Sequence, residues 1–168
     1  VLRESLQTYA EDTKKPMICL TSDVSDAFSR TDRISQLYEL SNAGEFGKFL
    51  EYSINTYKRT ILVIKGDKEF TEIIEDKIGA KQGAKKSAPD FKLYNIPLDK
   101  LIKDSNLGYK CYGVDVGLLL VADDSMSIIP DIDALKAIIN LYVWYSKNYA
   151  VTFSFKKTII NVFGGVVL

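Results

Sequence analysis

The chain reads as an α+β fold in which helices pack on a small antiparallel sheet. Two observations point there. Apolar runs of strand length occur at Met17–Ser22, Val116–Val121 and Met126–Ile129, and the last two are so close that a strand, a tight turn and a returning strand are implied. The stretches between them carry apolar residues at helical spacing instead.

In chain order, residues 2–11 read as a helix with Leu2, Leu6 and Tyr9 on one face, and Asp12–Pro16 as a polar connector into the first strand. Ile34, Leu37, Tyr38 and Leu40 mark a short helix that ends near Asn42–Gly44, and Phe46, Phe49, Leu50 and Ile54 mark another. Thr60–Ile64 is rich in β-formers, Gly66-Asp67 suits a turn, and Phe70–Ile74 can return as the second strand of a hairpin. Lys81–Lys86 is a basic, glycine-containing loop. Ser87 then caps a helix with Asp90 completing a capping box. That helix runs to about Asp104, with Phe91, Tyr94, Leu98, Leu101 and Ile102 on its apolar face and a bend at Pro97. Asp131 caps a further helix with Ile132, Leu135, Ile138, Ile139, Tyr142 and Tyr149 at helical spacing; its aromatics are read as packing, not as a base-stacking platform. Thr158–Val162 is a last strand. The central sheet is expected to hold strands near 17–23, 116–121 and 125–129.

Composition sets the outer limits. A length of 168 residues with 46% hydrophobic content fits one globular domain with a real core. No apolar stretch approaches the ~20 residues of a membrane span. The N-terminus lacks both Met and a signal-peptide layout, so the expectation is an intracellular piece of a longer polypeptide, nuclear or cytoplasmic and not secreted. Lys and Arg together number 22, as do Asp and Glu, so the basic footprint usual for a nucleic-acid enzyme is only local: Lys81, Lys85 and Lys86, then Lys156 and Lys157. Two cysteines and no histidine exclude a convincing zinc site and any histidine-based triad, and Cys19 reads as a buried free thiol.

The chemistry concentrates at Asp123-Asp124, placed at the tip of the expected hairpin. Turns favour Asp for local hydrogen-bonding reasons, so the pair alone says little. Two acids beside a buried strand are costly unless neutralised, and Mg²⁺ binds through one or two carboxylates plus substrate phosphates. Asp23, at the end of the Met17–Ser22 run, supplies a third acid. Two strands each presenting carboxylates at one end of a shared sheet is the arrangement needed for two-metal nucleotidyl transfer.

Four blocks then resemble the palm of a reverse transcriptase, closest to the non-LTR (LINE-type) retrotransposon enzymes. Asp23-Val24-Ser25-Asp26-Ala27-Phe28 resembles the first catalytic block. Gly79-Ala80-Lys81-Gln82-Gly83 resembles the Gly-x-x-Gln-Gly block, with Ser87, Phe91, Leu93-Tyr94 and Pro97 downstream. Val121-Ala122-Asp123-Asp124 resembles the aromatic-Ala-Asp-Asp box, with Val where Tyr or Phe is usual. Lys157-Thr158 and Val162-Phe163-Gly164 resemble the lysine block and the turn after it. Group II intron and telomerase enzymes share these blocks. The resemblance implies a partial palm over 1–168, without the N-terminal part of the fingers and without a thumb. It implies RNA-templated DNA synthesis with two Mg²⁺ ions (or Mn²⁺) on Asp23, Asp123 and Asp124, and Lys157 near the triphosphate. It places the nucleotide against Val24, Phe28, Gln82 and Gly83, and the primer end against Val121, Phe163 and Gly164. The implied partners are an RNA template, a DNA primer, a dNTP and the rest of a retrotransposon polyprotein. The neutral charge keeps open a second reading, a non-catalytic palm that binds nucleic acid or protein.

Overall fold

A computed structural model of the chain describes every residue except 1, 15, 59–60, 66–69, 71, 76–77, 81–84, 122 and 165–168. Its elements, in chain order, are α1 (Leu2–Thr13), β1 (Met17–Asp23), α2 (Ala27–Arg30), α3 (Arg33–Asn42), α4 (Lys48–Lys58), β2 (Ile61–Leu62), β3 (Ile74–Glu75), α5 (Ser87–Tyr94), α6 (Ile96–Ser105), β4 (Lys110–Cys111), β5 (Val114–Asp115), β6 (Leu118–Val121), β7 (Asp124–Ile129), α7 (Ile132–Tyr149) and β8 (Ile159–Phe163). The fold is α+β, with helices on a small antiparallel sheet. The chain forms two compact units, Val1–Ser25 with Asn95–Leu168, and Asp26–Tyr94.

The first unit is built on a four-stranded sheet in the order β6-β7-β1-β8. Every pairing is antiparallel, and β1 is central, with Ile18 opposite Ile129 and Asp23 opposite Asp124 on one side, and Met17 opposite Phe163 on the other. Side chains alternate across the sheet. On one face Met17, Cys19 and Ile128 form a core with Leu6, Ala10, Tyr109 and Cys111. Leu6 and Ala10, four apart, are the face that α1 turns to the sheet. The opposite face, with Ile18, Leu20 and Ser22, lies under α7. The Asp131 carboxylate accepts from the Ala134 N–H at 2.8 Å and starts that helix. Ala134, Ile138, Tyr142 and Tyr145 are its buried stripe, and Ala150 ends it in a left-handed conformation. Both cysteines are buried, and neither is in a disulfide. A short β4–β5 hairpin, which the sequence reading did not anticipate, turns at Tyr112 and Gly113, both with positive φ.

In the second unit α3, α4 and α5 pack around Leu40, Phe91 and Tyr94, all fully buried. Much of its interior is polar. The Arg33 guanidinium donates to the carbonyls of Gly79 at 2.7 Å, Ile78 at 3.1 Å and Tyr57 at 3.2 Å. Lys86 Nζ reaches Asp90 at 2.8 Å and Glu45 at 3.2 Å, and the Tyr57 hydroxyl donates to Asp90 at 3.3 Å.

Several expectations are corrected. Residues 87–104 are two helices, not one bent helix. The chain breaks at Asn95, and Pro97 sits in the first turn of α6, where its missing N–H costs nothing. Lys86 holds the cap position of α5, its carbonyl accepting from the Asp90 N–H, and the Asp90 carboxylate serves Lys86 and Tyr57 instead of a capping box. Of the apolar residues that mark α3 and α4, Ile34, Tyr38, Phe46 and Phe49 are exposed. The 60–74 hairpin exists as β2–β3, with a further bridge between Lys65 and Phe70. Its expected turn at Gly66-Asp67 lies outside the described residues.

Candidate active site

Register assembles the site. Asp23 ends β1 opposite Asp124, which begins β7, and Asp124 in turn lies opposite Val121 on β6. The β6–β7 connection is therefore two residues, Ala122 and Asp123, with Ala122 outside the described residues. Directly opposed residues share a face, so Asp23, Asp124 and Val121 stand side by side. Asp123 is tied in by its backbone: the Val24 N–H donates to its carbonyl at 3.1 Å. Val121 is widely exposed and Val24 is buried.

Two like charges opposed across a strand pair repel. The cation that answers them is Lys157, carried in by the segment after α7. The Ser25 N–H donates to the Thr152 carbonyl at 2.7 Å, and the Ser154 N–H to the Asp23 carbonyl at 2.8 Å. Val24 and Phe153 form a β-bridge between them. The Phe153 ring is anchored against Tyr142 and Tyr145, at 4.8 and 6.4 Å between centroids. A turn closes as the Lys157 N–H donates to the Ser154 carbonyl at 3.2 Å, and Lys157 Nζ then lies 2.8 Å from Asp23 Oδ2. The ammonium is held above its ordinary pKa by the hydrogen bond to Asp23 first and by the Asp23 charge second, with Asp123 and Asp124 adding to it. All three acids thus act on one cation.

Beneath the acids, on the other face, lies a chain of buried hydroxyls. Ser22 and Ser125 are cross-strand partners with their oxygens 2.8 Å apart, and Ser125 donates to the Ser22 carbonyl at 3.2 Å. The Tyr142 hydroxyl donates to Ser125 at 3.3 Å and lies 2.9 Å from Ser127. Burial raises the Tyr142 phenol above its usual pKa.

The structure brings together Asp23, Val24, Val121, Asp123, Asp124 and Lys157. It places Phe163 opposite Met17, at the other end of β1, which at ~3.3 Å per residue is about 20 Å from Asp23. Gly164 follows with φ +63. Phe28 lies on α2 in the second unit, its ring 5.2 Å from that of Phe91. Gln82 and Gly83 lie outside the described residues. The sequence reading missed Ser22, Ser125, Ser127, Tyr142 and Phe153. Its available signal was the Asp124-Ser125-Met126-Ser127 alternation, which sets two small polar residues on the face away from the acids.

Among the described residues no three or more of His, Cys, Asp and Glu form a ready metal cage. The donor chemistry nevertheless fits a hard divalent ion: carboxylate oxygens, Asp23 opposite Asp124, with Asp123 in the turn between their strands. No described helix is long and apolar enough to cross a membrane.

No family model and no curated protein matches the sequence. Solved structures do match in fold. A telomerase from Candida tropicalis, truncated from its C-terminal domain, superimposes with a TM-score of 0.73 at 16% identity over 95% of this chain and 33% of its own. A Candida albicans telomerase in complex with a fragment of telomeric RNA gives 0.71 at 12% identity, over 95% and 31%. The chain therefore spans about a third of the telomerases it matches. The likeness gives the fold, a palm-like α+β arrangement of helices on a small antiparallel sheet.

Proposed function

We propose that the chain is the palm of an RNA-directed DNA polymerase and that its acid end carries out nucleotidyl transfer on a dNTP, extending a DNA primer along an RNA template. The observation that carries this is the opposition of Asp23 and Asp124, with Asp123 beside them and Lys157 as their counter-ion, at the end of a palm-like sheet. Asp23, Asp123 and Asp124 would hold Mg²⁺ or Mn²⁺. When bound, such ions lower the pKa of the primer 3′-hydroxyl and offset charge on the transferred phosphate. The residues themselves supply position and charge. β1 and β7 fix the Asp23 and Asp124 carboxylates on one face, Val121 offers an exposed apolar surface next to Asp124 for the primer end, and Lys157 offers a cation to the triphosphate and a proton to its leaving group. From the motif resemblance we place the parent among LINE-type retrotransposon polyproteins.

The test is primer extension by the parent protein on an RNA template with dNTPs and Mg²⁺ or Mn²⁺. Extension that is lost in Asp23→Asn and Asp123→Asn, with circular dichroism unchanged, supports the reading. Extension that survives both substitutions refutes it. The neutral charge favours the second reading, a palm that binds nucleic acid or protein without catalysis. Binding with no extension under any metal would establish that one.

A further inference from the structure

We infer that Tyr142 is a positioning residue for the acid pair, acting through Ser125 and Ser22. This deepens the metal-binding reading of Asp23 and Asp124 and rests on it. Two of the bonds have a direction, and a consistent donor order follows for the other two. Ser125 donates to the Ser22 carbonyl, so the Ser22 hydroxyl donates to Ser125. Tyr142 donates to Ser125, so Ser127 donates to Tyr142. The result is a one-way relay from Ser127 through Tyr142 and Ser125 to the β1 backbone.

Its location gives it a purpose. Ser22 precedes Asp23 and Ser125 follows Asp124, so the clamp joins the last strand pair before the acids. All four hydroxyl residues are buried, beside Ile18, Leu20 and Ile129. A polar network in such a layer is high-stakes, rigidifying when fully satisfied. Here it resists the outward push of two opposed carboxylates. It also resists a one-residue register slip, which would turn one acid inward to the face under α7.

Tyr145 provides the control. It too is a fully buried tyrosine of α7, but its hydroxyl donates to Asn95 Oδ1 at 3.0 Å. The experiment compares Tyr142→Phe, Ser125→Ala and Tyr145→Phe in the full chain by amide hydrogen exchange and by Mn²⁺ titration calorimetry. At the acid end the informative amides are Val24 and Ser154; at the far end, Ile128. Tyr142→Phe and Ser125→Ala are expected to speed exchange at Val24 and Ser154 by about tenfold while Ile128 is unchanged. They should also weaken Mn²⁺ binding roughly tenfold, as loss of a supporting contact behind metal ligands does. Tyr145→Phe should do neither. Even acceleration along the strands, or equal effects from Tyr142→Phe and Tyr145→Phe, overturns the inference. A wild-type chain that binds Mn²⁺ no better than Asp23→Asn overturns the metal reading instead, and the exchange results still judge the clamp.

Discussion

Phe28 illustrates how one side chain can answer to two demands. The motif resemblance sets it under the incoming sugar, and the structure packs it against Phe91. In an active parent, Phe28→Val should raise the ratio of ribonucleotide to deoxyribonucleotide incorporation about tenfold, ~1.4 kcal/mol of lost discrimination by a built-in clash. Equal loss with both substrates would reduce Phe28 to a packing residue. The Tyr57–Asp90–Lys86 cluster makes a separate prediction about pH. Burial, then the Asp90 charge and hydrogen bond, raise the Tyr57 phenol well above its usual pKa. For Lys86, burial works downward, but the bonds to Asp90 and Glu45 outweigh it and the ammonium is raised. A raised folded-state pKa gives stability that is complete below the ordinary value and lost as pH climbs through the raised one. The urea midpoint should therefore hold steady to about pH 10 and fall above it. Tyr57→Phe should make that fall shallower; an unchanged slope would detach the cluster from alkaline unfolding.

At the scale of the element, the break between α5 and α6 sets a test. Pro97 in a first turn displaces no hydrogen bond, so Pro97→Ala should shift stability by less than about 1 kcal/mol, against the ~3 kcal/mol tied to a proline in a helix interior. Gly79 is the opposite case. Its φ is +82, and an added Cβ would lie 2.5 Å from the Ser29 carbonyl oxygen and 2.7 Å from that of Phe28. Gly79→Ala should cost about 2 kcal/mol or more in chemical denaturation, since backbone must move on both counts. Elements with strong local signals were legible in the sequence: β1 and β7 from their apolar runs, α7 from Asp131 and its stripe, and the three acids from their place at strand ends. The Asn95 break was not, because Pro is equally compatible with a kink and with a first turn. The hydroxyl relay was not, because a serine in a strand carries no sign of which tyrosine of a distant helix will meet it. The interior of the second unit was hidden for a like reason. Arg33, Glu39 and Asp90 are buried there, where hydropathy alone would put them in water.

For the whole molecule, charge balance matters more than any single contact. With 22 basic and 22 acidic residues the chain carries no net field to draw in a phosphate backbone. Each neutralised phosphate contributes about −0.9 to the slope of log affinity against log salt. The 168-residue chain should thus bind an RNA–DNA hybrid weakly, with a slope no steeper than about −3, as fluorescence anisotropy across a salt series would show. A slope near −8 would mean that a concentrated basic surface exists despite the neutral total. The order of the strands has a further consequence, for synthesis on the ribosome. The central strand β1 emerges before either of its neighbours: Ser22 and its partner Ser125 are 103 residues apart, and Asp23 is 134 from Lys157. Until β7 has been translated, β1 has two open edges, and until β8 follows it still has one. Nascent chains stalled before β7 should be the ones that chaperones hold and proteases find, and a frameshift in that interval leaves a sticky strand with Asp23 but neither of the other two acids.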